Sequence, residues 1–334
     1  MNAALPHGKN AVALALLVLL TVLKGGIALA DQVWASFDPP GSTDTEPTSI
    51  NTVQTVTGYY SDGFRDHGFV RTFDGAIATF DPPKSRGTYP QSINSKGAIV
   101  GWYARRHHVT HGFLRTADGQ ITTFDPPGSA ATAPYSISNK GIVVGSYQDG
   151  GGTFHGFVRA ADGTIAGVDV KGASGTVLRS IDPDGVATGY FFDSSNASHG
   201  FVRQANGSID TFDVPGASNT VPVSIDPFGF VGGNYQVPGS KMPHGFLRQA
   251  NGTIETFDPD GSVQTDVRCM SANNALVGTY STGARAHGFL RSPIGKILNI
   301  DYPGSKSATA SAIMQGIAGS YFDGKVWHGS LLTH

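Results

Sequence analysis

The chain has one cysteine, Cys269, so no intramolecular disulfide can staple it and its stability has to come from packing. Charge is scarce as well. Asp, Glu, Lys and Arg make up 14% of the 334 residues, with few Lys and Glu, which argues against disorder and against a coiled coil. The formal net charge is −2 and no block of like charge occurs, so the basic footprint of a nucleic-acid or anionic-membrane binder is missing. Catalytic signatures are missing too: there is no G-x-S-x-G, no H-E-x-x-H, no P-loop and no dinucleotide fingerprint. The pattern Asp-x-Asp-Gly at Asp182–Gly185 and again at Asp258–Gly261 lacks the remaining ligands of a calcium loop. No metal and no cofactor are expected.

Only one long apolar run exists, Ala11–Leu23, behind a mildly basic start with His7 and Lys9. At 13 residues it is short for a bilayer span, which needs roughly 20. Ala28-Leu29-Ala30 then offers a small-residue cleavage site. This layout predicts a secretory signal peptide over residues 1–30, cleaved after Ala30, and a secreted or periplasmic mature chain with no remaining membrane attachment. A retained N-terminal anchor is the alternative. No cysteine follows the run, so a lipoprotein anchor is not expected.

What the chain has in quantity is turn formers, 45 Gly and 19 Pro, which break long helices and suit many short strands. They are placed periodically. His-Gly recurs at His67, His111, His155, His199, His244, His287 and His328, mostly as His-Gly-Phe-Val/Leu-Arg. Asp-Gly or Asn-Gly usually follows, then a strand-like run ending in Phe-Asp, then Pro and Gly, then Ser-Ile, then Val-Gly-x-Tyr. Each unit of about 43 residues thus holds four strand candidates, termed A (around Ser136-Ile137), B (Ile142–Tyr147), C (His155–Arg159) and D (Thr164–Asp169). The C–D joints carry the Asn-Gly and Asp-Gly signal of type I′ hairpins. Four antiparallel strands per repeat is the size of one propeller blade.

The two ends complement each other. The mature chain opens on a lone D strand, Gln32–Asp38, and closes on a unit, Ser311–Leu332, that lacks its own D. Pairing them completes a seven-bladed, all-β propeller over residues 31–334 and removes two open edges.

The unit HGFLRTADGQITTFDPPGSAATAPYSISNKGIVVGSYQD (residues 111–149) resembles the HAF-type extracellular repeat of bacterial exported proteins, and the resemblance covers the whole mature chain. It implies an exported repeat protein of propeller type. It implies no particular reaction.

A residue present in every blade reads as structural. The repeat His is expected to hydrogen-bond a backbone group or the Phe-Asp carboxylate, and the Arg of the C strand to pair with that carboxylate or the hairpin Asp. Function should sit where the repeat is broken. The tight A–B and C–D hairpins share one face; the longer, variable B–C and D–A connections share the other, which is the expected ligand face. Two places stand out. In the second B–C loop, Arg105, Arg106, His107 and His108 replace an Asp-Gly or Asp-Ser turn and suit an anion or carboxylate. Before the Ser-Ile motif, near the expected channel mouth, Tyr135, Arg179 and Arg268 could converge on one ligand. The expectation is a monomeric, non-catalytic scaffold that binds an extracytoplasmic protein, peptide or glycan, with an anionic group favoured. A propeller-type lyase or hydrolase is the alternative, and a structural surface protein the third reading.

Overall fold

The computed structural model describes residues 33–106 and 109–333. The expected leader, the cleavage site, Gln32, His107 and His108 lie outside the described residues. Seven antiparallel sheets follow one another around a ring, six with the strand order A-B-C-D. In blade 1 these strands are Asp44–Ile50, Val56–Ser61, Asp66–Arg71 and Ile77–Phe80. Blade 7 is built from both ends of the chain: Ile317–Phe322 and Trp327–Thr333 supply B and C, and Val33–Phe37 supplies D. The closing pair runs in continuous register from Val33↔Thr333 to Phe37↔Gly329. The A strand of blade 7 is split into Ser307–Ala308 and Ala312–Ile313. The A strands of neighbouring blades touch one another, so they form the inner wall of the ring.

The repeat residues hold blade to blade. The C-strand phenylalanines Phe69, Phe113, Phe157, Phe201, Phe246 and Phe289 are fully buried. Most meet the D-strand Phe of the preceding blade edge to face, as Phe69 meets Phe37 at 5.9 Å. Of the two partners expected for the C-strand arginines, the Phe-Asp carboxylate is not paired with them; the hairpin Asp acts only at longer range, as Asp74 does on Arg71, Asp118 on Arg115 and Asp162 on Arg159. Arg71, Arg115, Arg159, Arg248 and Arg291 instead lie over that preceding Phe, with guanidinium carbons 4.8–5.1 Å from the ring centroids. Alternation along the strand puts Phe and Arg on one face, and the nearest partner there is the neighbour's ring. Among the described residues only Arg291 adds a close ion pair, to Glu255 at 2.6 Å. Blade 4 lacks the contact because Val168 stands where the Phe would be.

The inner strands carry a feature the sequence reading did not include. In six blades the register slips by one residue just before the Ser-Ile pair, Cys269-Met270 in blade 6, leaving Thr48, Gln91, Tyr135, Arg179, Val223 and Arg268 as β-bulge residues. The glycine of Val-Gly-x-Tyr is the counterpart of that bulge. A Cβ on Gly145 would stand 2.3 Å from the Ala133 carbonyl oxygen, and the same collision arises at Gly58 and Gly101. In blades 1 to 5 the Ser that follows the bulge then accepts from the next blade's backbone, as Ser49 Oγ does from Ile93 N at 3.2 Å; in blade 6 Cys269 takes its place.

Candidate functional site

Each A strand runs from the variable-loop face to the hairpin face. Tyr135, Arg179 and Arg268 therefore lie two residues from the A–B hairpin, not at the variable-face mouth of the channel where the sequence reading put them. They stay partly solvent-exposed although they belong to innermost strands, so they border the channel. Two of the three meet. The Arg179 guanidinium lies 4.4 Å from the Tyr135 ring centroid. Arg268 instead pairs with Asp266 at 2.8 Å and acts electrostatically on Glu46. Glu46 accepts from Ser320 Oγ at 2.9 Å. Burial raises its pKa, with Ser320 and Arg268 opposing. Beside it, burial and then the charges of Glu46 and Asp66 push the Tyr59 phenol up to about 12.

The repeat histidines find the expected partner. Nδ1 of each lies against the Asp that ends the D strand: His67–Asp81 at 2.6 Å, His111–Asp125 at 2.7 Å, His328–Asp38 at 2.7 Å. The imidazole also packs on the B-strand aromatic, as His67 does on Tyr60 and His199 on Phe191. Asp81 further accepts from Thr88 Oγ1 of the next blade at 2.5 Å, so the pair clamps two blades together. The Nδ1 side of each repeat histidine is thus taken up by the scaffold.

Another departure from the repeat lies elsewhere on the ring. A cleft of about 810 Å³ opens between blades 1 and 2 on the variable-loop face. Its wall comes from the first B–C loop (Phe64, Arg65), the D–A connection (Lys84, Ser85, Arg86), the second B–C loop (Arg105, Arg106, Val109) and His111. None of these belongs to an innermost strand, so the cleft sits between blades and not over the axis. Five are permanent cations and none is a carboxylate. Arg105 and Arg106, the candidates of the second B–C loop that the structure describes, both line this cleft. Arg65, Lys84 and Arg86 were not expected there.

Lys84 had a visible signal. After the Pro-Pro or its equivalent, the other six connections use Gly41, Gly128, Gly172, Gly216, Gly261 and Gly304, all at φ between 74° and 81°. Lys84 occupies the same left-handed conformation at φ 66°. A non-glycine residue there carries a penalty of roughly 1–2 kcal/mol, and tolerated strain of this kind concentrates at functional positions.

No family profile matches the sequence, and no curated protein does. Solved structures share the fold. A catalytically inactive virginiamycin B lyase from Staphylococcus aureus with quinupristin is 16% identical, covering 91% of this chain and 100% of its own, with a TM-score of 0.61. The β-propeller domain of the Trilobed protease from Pyrococcus furiosus, described as an open velcro topology, is 8% identical over 86% of this chain and 94% of its own, with a TM-score of 0.60. Puromycin hydrolase is 13% identical over 86% of this chain and 52% of its own, with a TM-score of 0.58. At these identities the likeness establishes the propeller architecture alone.

Proposed function

We propose that this chain is an exported, HAF-type propeller scaffold that binds an anionic protein, peptide or glycan in the cleft between blades 1 and 2. The observation that carries the reading is the wall of that cleft: five cationic side chains and no carboxylate, in a chain whose net charge is −2. Arginine and lysine converging on an open cleft suit carboxylate, sulfate or phosphate groups. Export rests on the leader expected in residues 1–30, and amino-terminal sequencing of the exported chain should begin at Asp31. Binding is tested with the mature protein against polygalacturonate, heparin and dextran. The anionic polymers should bind, less tightly as salt rises, and a Lys84→Ser/Arg86→Ser variant should lose most of the affinity. Equal binding of dextran, or no effect of the double variant, would refute the reading.

A propeller-type lyase or hydrolase is the second reading, and Glu46 is the observation in its favour. A carboxyl whose pKa is raised by burial, beside the bordering Arg268 and Tyr59, suits proton transfer. Turnover of a glycan or ester that disappears in Glu46→Gln would support it. Turnover that persists in that variant would remove Glu46 from any chemistry.

A further inference from the structure

The repeat itself supplies a template for what the cleft holds. In four blades the second imidazole nitrogen faces a B–C loop carboxylate: Nε2 of His67 meets Asp62 at 3.2 Å, His155 meets Asp149 at 3.5 Å, His199 meets Asp193 at 3.5 Å and His328 meets Asp323 at 3.6 Å. Each of these Asp residues stands two places after the aromatic on which its His packs. In blade 2 that place, two after Tyr103, is Arg105. The charge at this repeat position is reversed. His111 keeps Asp125 on Nδ1 and faces no second carboxylate among the described residues. The Arg105 guanidinium lies over the Tyr103 ring at 5.4 Å, and its Nε is buried without an acceptor. Both Arg105 and His111 line the cleft.

We propose that a carboxylate of the bound ligand takes, in blade 2, the place that an aspartate fills in blades 1, 3, 4 and 7, accepting from Nε2 of His111 and from Arg105. This rests on the cleft being the binding site. The occupant the cleft favours is a uronate chain. Its volume of about 810 Å³ far exceeds one carboxylate, and its cations come from three separate segments, so charge is distributed along it. At its edge the Phe64 ring is 96% exposed and offers a flat apolar platform to a sugar face. With Nδ1 of His111 donating to Asp125, Nε2 donates to the ligand carboxylate from the imidazolium, so the bound state carries that proton. The groups facing this imidazole are Asp125, Arg105, Arg106 and the Tyr103 ring packed on it.

The experiment titrates the mature protein with hexagalacturonate, its methyl ester and hexaglutamate by calorimetry, at about pH 5.5 and about pH 7.5. Hexagalacturonate should bind more tightly at the lower pH, and its methyl ester should not bind. Arg105→Asp restores the residue that four blades use, so the protein should fold normally. Its affinity should fall at least about tenfold, the loss expected for a charged hydrogen bond, and the pH dependence should disappear. Wild-type affinity in Arg105→Asp, with affinity lost in Lys84→Ser/Arg86→Ser, overturns this inference and leaves the anionic cleft standing. Hexaglutamate binding as tightly as hexagalacturonate overturns the uronate assignment. Failure of the wild type to bind any polyanion overturns both.

Discussion

The imidazole of His155 packs against the ring of Tyr147, centroids 5.0 Å apart, and the same plane carries its Nδ1 to within 3.0 Å of Asp169. The pair recurs in every blade, so one substitution measures what the repeat contributes. His155→Ala removes the stacked face and the carboxylate partner together. Asp169 remains half-exposed and keeps water, so the expected loss is about 1–2 kcal/mol, read as a lower melting temperature. An unchanged melting temperature would strip the repeat His of a structural role.

The same clamps give a pH dependence. His155 is held above its ordinary pKa by the hydrogen bond to Asp169 and then by Asp149; His199 is raised by Asp213 and then Asp193. For His328 burial works the other way, but Asp38 and Asp323 outweigh it. A raised folded pKa gives stability that is full below the unfolded value of about 6.5 and is lost as pH rises through the folded value. The partners act in the opposite sense. Backbone and His67 hydrogen bonds hold Asp62 near about 2, and Ser195, backbone and His199 hydrogen bonds do the same for Asp193. Their stability is lost as pH falls below about 4. The melting temperature should therefore rise from about pH 8 to about pH 6 and fall again in acid. A curve flat across the histidine range would contradict the raised pKa values.

Ring closure is the next expectation. The strand Val33–Phe37 adds five register pairs to blade 7, and its Phe37 is buried between Phe69 and the Arg71 guanidinium. The residue after it, Asp38, binds both His328 and Thr45. Deleting residues 33–38 should cost several kcal/mol, a third or more of the roughly 5–15 kcal/mol that stabilises a domain. Phe37→Ala alone should cost about 3–5 kcal/mol. A truncated chain that melts with the intact one would show that the ends do not hold the ring shut.

The propeller was legible because its signals are redundant. Seven His-Gly recurrences set the period, and a lone D at one end matched a missing D at the other. The bulges were not legible, because a one-residue slip leaves the Ser-Ile pattern intact and shows only as the glycine on the facing strand. Tyr135, Arg179 and Arg268 were placed at the wrong end of the channel because position in the repeat was read without following strand direction. Arg105 and Arg106 stood out in the sequence because charge is rare here and these two replace an acidic turn. Lys84 was not read from the sequence, because a lysine where six other connections have glycine marks a site only once its left-handed backbone conformation is known.

Lys84 gives the sharpest separation of stability from function. At φ 66° its side chain strains a turn that glycine would enter freely, and it also places an ammonium in the cleft. Lys84→Gly should relieve the strain and raise stability by about 1 kcal/mol, even though glycine adds entropy to the unfolded chain. In the same protein, binding of an anionic polymer at the cleft should weaken several-fold. A substitution made only for space or charge elsewhere would not move the two quantities in opposite directions. The check is one variant measured twice, by thermal melt and by titration with polygalacturonate. If stability falls, the turn is not strained by lysine. If stability rises while affinity is unchanged, Lys84 lies beside the ligand without touching it, and the cations that bind are Arg86, Arg105 and Arg106.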